Sequence, residues 1–219
     1  MEVEEVTLVT SDGIKLAGLF YPGKLDKGVV LLHQLGSDKS SWKPFVNELN
    51  KTHYFVLAID LRGHGESEGN LNEQAFLDMI KDAKAGHDFL TNAAITEVAI
   101  VGASIGANTA LKYCSEKKLA AVALSPGLDY KGIKTEEAAG KIKKALIIVT
   151  ENDKYSYESS KKFKEINENI KLITYTGKAH GTYIFLEEKN LSNEIISWLD
   201  ENIGEKKLYA QAKSKLNLN

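Results

Sequence analysis

Val98-Ala99-Ile100-Val101-Gly102-Ala103-Ser104-Ile105-Gly106-Ala107 is an apolar run that breaks at Gly-x-Ser-x-Gly and continues, without a breaker, to Tyr113. A buried strand, a tight reversal and a helix account for this pattern. So tight a reversal forces its central residue into strained backbone angles, which bare neighbours two positions away make tolerable; Gly102 and Gly106 supply them. Ser104 then projects its hydroxyl above the sheet edge, and the Ile105 amide points into the same space from the start of the helix. An oxyanion can be held there. Alone, the five-residue string also fits an ordinary glycine-rich loop. The strand before it and the helix after it favour an exposed nucleophile.

Outward from this turn, further short apolar runs read as strands covered on both faces: Gly28 to Leu32, Tyr54 to Ile59, Leu119 to Leu124 and Ala145 to Val149. Lys171 to Tyr175 reads as one more strand. Amphipathic stretches at Trp42 to Asn50, Glu73 to Leu90, Ser156 to Ile166 and Ser192 to Asn202 read as crossover helices. Asn72 can cap the second of these, in which Phe76, Met79, Ile80, Ala83 and Leu90 form a core-facing stripe. At the N-terminal end, Val3 to Val9 and Lys15 to Phe20 flank Ser11-Asp12-Gly13 and predict an antiparallel hairpin. The expectation is an α/β fold in three layers, with a mostly parallel central sheet, an antiparallel N-terminal hairpin and a minimal cap or none.

The chain has 219 residues, 43% of them hydrophobic, which suits a single globular domain. We place it at residues 1–204, with a polar, lysine-bearing tail at 205–219. A net charge of -2, with lysines scattered among glutamates, argues against a nucleic-acid partner. No apolar segment is long enough to span a bilayer, and the acidic start Met1-Glu2-Val3-Glu4-Glu5 is unlike a signal peptide, so a soluble, cytoplasmic protein is expected. Cys114 is the only cysteine; inside the helix after Ser104 it reads as packing. Oligomeric state is not encoded in any feature of the chain.

A serine hydroxyl needs a base, and the base an orienting acid. In this architecture they follow the nucleophile in the order acid, then histidine, and ligands collect at the carboxyl ends of strands. Of five histidines only His180, in Gly177-Lys178-Ala179-His180-Gly181, follows Ser104. His53 lies at the wrong end of a strand, His87 within a helix and His64 too early in the chain. The strand ending at Val149 runs into Glu151-Asn152-Asp153, which makes Asp153 the best acid, with Glu151 and Asp129 as alternatives. A second oxyanion donor is expected from His33-Gln34-Leu35-Gly36, at the Leu35 amide or alternatively Gln34, with His33 bracing the loop.

Leu31-Leu32-His33-Gln34-Leu35-Gly36-Ser37, Asp60-Leu61-Arg62-Gly63-His64-Gly65-Glu66-Ser67, the Gly102 to Gly106 turn, Asp153 and Ala179-His180-Gly181 together resemble the α/β-hydrolase superfamily over nearly the whole chain. The likeness is greatest to small serine esterases and dienelactone-hydrolase-like members, although the latter carry cysteine where this chain has Ser104. It implies a Ser104-Asp153-His180 triad and assigns the Asp60 to Ser67 loop to the floor of the site. Many relatives have His-Gly where this chain has His33-Gln34, and the glycine often found before the acid turn is here Thr150 or Glu151.

Ser125 to Lys144 leaves room for one helix at most, around Thr135 to Ala139, which predicts a shallow site. The expected function is a serine hydrolase cleaving small-molecule carboxylic esters of small or flexible acyl groups through an acyl-enzyme, with no cofactor and no metal. A thioesterase, a peptide hydrolase or an acyltransferase would use the same triad. A non-catalytic ligand-binding protein would use the same fold.

Overall fold

The structure, a computed structural model, describes residues 3–204; the tail expected at 205–219 lies outside the described residues. Eight strands form one sheet: β1 (Glu4–Val9), β2 (Lys15–Tyr21), β3 (Lys27–Leu32), β4 (Phe55–Ile59), β5 (Glu97–Ala103), β6 (Ala120–Leu124), β9 (Lys144–Thr150) and β10 (Lys171–Tyr175). Their spatial order is β1-β2-β4-β3-β5-β6-β9-β10. β1 and β2 pair antiparallel, β2 runs antiparallel to β4, and the remaining pairs are parallel. β5, the strand that leads into Ser104, therefore has β3 on one side and β6 on the other.

Alternation along the parallel strands splits the core in two. Val30, Leu32, Ile100 and Ile147 face one side with Met79 and Leu111, whereas Val29, Leu31, Val101 and Ile148 face the other with Phe45 and Leu199. Helices α2 (Glu73–Asn92), α3 (Ile105–Lys117) and α5 (Lys154–Ile166) cover the first face, and α1 (Lys43–Leu49), α6 (Ile184–Glu187) and α7 (Leu191–Asn202) the second. This is the three-layer α/β-hydrolase architecture. The helix expected at Trp42 to Asn50 is α1 flanked by two 3₁₀ turns, Lys39–Trp42 and Asn50–Thr52. Pro44, which lacks an N–H, suits the first turn of α1.

Between β6 and β9 the chain forms a small hairpin, β7 (Asp129–Tyr130) with β8 (Ile133–Lys134), and then the six-residue α4 (Glu136–Lys141). The helix matches the short element expected there; the hairpin was not anticipated. Among the described residues no helix is long and apolar enough to cross a membrane.

The Asp60 to Ser67 loop is held by buried charge. Asp60 accepts from the Lys39 amide, Lys39 Nζ and the Glu66 amide at 2.7–2.9 Å. Arg62, almost fully buried, bonds Asp82 through Nε at 2.8 Å and Asp12 through Nη1 at 2.9 Å. The Arg62 bonds hold the Asp12 carboxyl well below the usual carboxylate range. A carboxylate whose pKa is depressed by folding adds stability above its unfolded value, and that stability is lost as pH falls through its folded value. Wild type should therefore exceed Asp12→Asn by on the order of 1 kcal/mol at neutral pH, a margin that shrinks once the pH drops below 3.8. Urea unfolding of both proteins at pH 7 and pH 3 measures it.

Candidate active site

Ser104, the residue after β5, has φ 53° and ψ −115°, a positive-φ conformation that costs a non-glycine residue about 1–3 kcal/mol. Two backbone bonds hold it there: the Ser104 amide donates to Leu124 O at 2.9 Å, and Ser104 O accepts from the Asn108 amide at 3.1 Å. The flanking glycines are needed for space. A Cβ on Gly102 would lie 2.1 Å from Gly106 O, and one on Gly106 would lie 2.3 Å from Leu32 O and 2.7 Å from His33 O. The turn is thus pressed against the carboxyl end of β3. At the start of α3 the Ile105 amide has no partner within the helix.

His180 stands in the loop after β10, and its Nδ1 lies 2.6 Å from Asp153 Oδ2. Asp153 immediately follows the turn after β9 and precedes α5. Burial would raise its carboxyl, but the His180 contact, with the Ser156 and Ser125 hydroxyls that also face it, outweighs burial and holds it below the ordinary carboxylate value. The loop bearing the imidazole is fixed on both sides: Thr150 Oγ1 donates to Ala179 O at 2.9 Å, and the Gly181 amide donates to Ser125 Oγ at 3.0 Å. Neither of the other two acids bonds His180 among the described residues. Glu151 is exposed, and Asp129 Oδ1 accepts from the Gly132 amide within the hairpin.

No hydrogen bond joins Ser104 to His180 among the described residues, but their chains adjoin. A Cβ at Gly181 would lie 3.3 Å from Ala103 Cβ, and the Tyr130 ring packs edge-on against the imidazole at 6.3 Å. The Tyr130 phenol also faces the hydroxyls of Ser156 and Ser104, the former at 2.9 Å. Sequence reasoning missed Tyr130. The signal available was Asp129-Tyr130-Lys131-Gly132, a turn-forming spacing just beyond a strand's carboxyl end.

His33 accepts from the Leu61 amide at Nε2, 3.0 Å, which places its proton on Nδ1, the donor to Gln34 O at 2.8 Å. Burial pushes this imidazole down to about 4, so it is neutral and braces the loop. Gln34 O also accepts from the Ser37 amide at 3.2 Å. In a trans peptide the N–H points opposite to the C=O, so the Leu35 amide is turned away from both partners and bonds nothing in the protein among the described residues. The Gln34 side chain is spent otherwise: its Nε2 donates to Thr182 Oγ1 at 2.9 Å, tying this loop to the one that bears His180.

His64 packs edge-on against His33 at 5.0 Å, with Nδ1 bonded to Arg62 O; His87 bonds the Tyr113 hydroxyl on the helical layer. His53 caps the 3₁₀ turn before β4. Cys114 is fully buried and its thiol is pushed well up by that burial. Among the described residues no group of three or more His, Cys, Asp or Glu side chains could hold a metal ion.

Residues 23–149 match the model of the hydrolase family described as serine aminopeptidase, S33, and the chain belongs to that family. It is similar to the uncharacterized protein YfhR of Salmonella typhimurium, at 29% identity over 119 residues that cover 50% of this chain and 40% of YfhR. The alignment thus spans about two fifths of the length of that relative. Among solved structures it resembles the Pyrococcus furiosus esterase Pf2001, with 25% identity and a TM-score of 0.80 over 93% of this chain and 94% of the esterase. It also shares its fold with Est1E of Butyrivibrio proteoclasticus, determined with ferulic acid bound, with 18% identity, a TM-score of 0.75 and coverage of 89% and 100%. The chain thus has the α/β-hydrolase fold and belongs to a hydrolase family.

Proposed function

We propose that the protein is a serine hydrolase that cleaves carboxylic esters of small or flexible acyl groups through an acyl-enzyme on Ser104. The observation that carries this reading is the 2.6 Å pair of Asp153 and His180 beside a strained turn that presents Ser104. With Nδ1–H given to Asp153, Nε2 is free to accept the Ser104 proton as the hydroxyl attacks the carbonyl carbon. Hydrogen bonds between nucleophile and base are often long before substrate binds, and a rotation of the serine hydroxyl toward the imidazole completes the relay. The free amides of Ile105 and Leu35 are suited to hold the oxyanion. The same imidazole then activates water against the acyl-enzyme.

Two observations favour esters of modest size. The segment between β6 and β9 supplies only a small hairpin and a six-residue helix as cover, which leaves the serine without a helical roof. A solved structure similar over more than nine tenths of both chains is an esterase. The family description names an aminopeptidase, and peptide hydrolysis uses the same acyl transfer. Incubation with a fluorophosphonate should add one adduct, mapped to Ser104 by mass spectrometry. Rates on an ester, a thioester and an aminoacyl anilide should then fall in that order. An unmodified Ser104 would overturn the reading in favour of a binding protein.

A further inference from the structure

The hairpin that follows β6 is fastened far more firmly than a two-residue connection needs. Tyr155, in the first turn of α5, bonds the Asp129 amide and the Asp129 carbonyl, each at 2.9 Å. Asn108, in the first turns of the nucleophile helix, donates to Ile133 O at 2.8 Å and accepts from the Gly127 amide at 2.9 Å. Ser159 accepts from the Leu128 amide, and Thr135 Oγ1 donates to Gly127 O at 2.7 Å. Gly127 is bare because a Cβ there would lie 2.5 Å from the Tyr155 ring and 2.9 Å from the Tyr130 ring. All of this fixes one residue over the serine. Tyr130 meets the His180 ring in a T-shaped contact and holds its hydroxyl 2.9 Å from Ser156 Oγ, facing Ser104.

The sheet order says on which side of the serine it stands. The Leu35 loop follows β3, one neighbour of β5, whereas Tyr130 follows β6, the other neighbour, on the side where Asp153 and His180 also lie. A hydroxyl on the side of β5 opposite the Leu35 loop, beside the base that would protonate the leaving oxygen, is placed to meet the alcohol half of an ester rather than its oxyanion.

We propose that Tyr130 is a catalytic residue that donates a hydrogen bond to the leaving-group oxygen, which gives the enzyme its competence toward unactivated alkyl esters. This rests on the serine-hydrolase reading above. As the carbon–oxygen bond of the tetrahedral intermediate breaks, its electron pair goes to the leaving oxygen, which takes the proton that His180 had removed from Ser104. Tyr130 stabilises the developing negative charge and keeps its own proton. The phenol and the Ser156 hydroxyl lie 2.9 Å apart and either can donate, so the phenol can turn its O–H from Ser156 to the leaving oxygen when an ester enters. Burial also raises the phenol to about 12, so the proton is present throughout the working range.

The test is Tyr130→Phe assayed on two acetates, 4-nitrophenyl acetate with a good leaving group and ethyl acetate with a poor one. The variant should lose about tenfold to 100-fold in kcat on the ethyl ester and less than about threefold on the nitrophenyl ester. Equal losses on both substrates, or no loss on either, would overturn the assignment, since a merely structural tyrosine has no reason to sense leaving-group basicity. If wild type turns over neither ester, or Ser104→Ala retains both activities, the hydrolase reading itself has failed.

Discussion

Replacement of Ser104 by alanine is expected to lower kcat on an activated ester by about 10⁵-fold to 10⁶-fold, the scale seen when a triad nucleophile is removed. Because alanine must adopt the same φ of 53° and ψ of −115°, stability should be unchanged. Glycine at this position should abolish activity equally but unfold at a higher temperature, by a gain of roughly 1 kcal/mol as the backbone strain is relieved. Steady-state kinetics and thermal melts of the three proteins check both halves. Residual turnover in the alanine variant within tenfold of wild type would rule out Ser104 as nucleophile. Equal melting of the alanine and glycine variants would show that the turn stores no strain.

The second large effect concerns the glycines that make this turn possible. Gly106→Ala would drive a methyl group to 2.3 Å from Leu32 O and 2.7 Å from His33 O, both of them main-chain atoms at the end of a central strand. Gly102→Ala would meet Gly106 O at 2.1 Å. Main chain cannot swing aside as a side chain can, so each substitution should cost at least about 3 kcal/mol, at the upper end of overpacking penalties. Gly140→Ala is the control. It lies in α4, where an added Cβ meets nothing nearer than 3.6 Å, and it should be neutral or stabilising by up to roughly 1 kcal/mol. Urea midpoints of the three variants separate the outcomes, and a Gly106→Ala protein as stable as wild type would contradict the close approach of α3 to β3.

What was legible in the sequence is what local chemistry decides. The turn at Ser104 needs only its own glycines and flanking apolar runs, and the strands with both faces covered announce themselves by composition, so β3, β5, β6 and β9 appear within a few residues of their expected places. The proximity of Asp153 to His180 follows from the order of strand ends. The hairpin at Asp129 to Lys134 was not legible, because two-residue strands carry no periodicity and owe their shape to Asn108, Tyr155 and Ser159, which lie elsewhere in the chain. Gln34 illustrates the same limit. In sequence it is a departure from the usual His-Gly; in three dimensions its amide reaches Thr182, 148 residues away.

That single amide has a consequence for thermal motion. With glycine in its place, the segment after β3 and the segment after β10 would fluctuate independently, each sampling its own misaligned arrangements. With Gln34 bridging to Thr182, a displacement of one drags the other, so the Leu35 amide and the His180 imidazole, in the roles proposed for them, fall in and out of register as one body. Warming such an enzyme should erode substrate binding and proton transfer in step, because a common joint governs both.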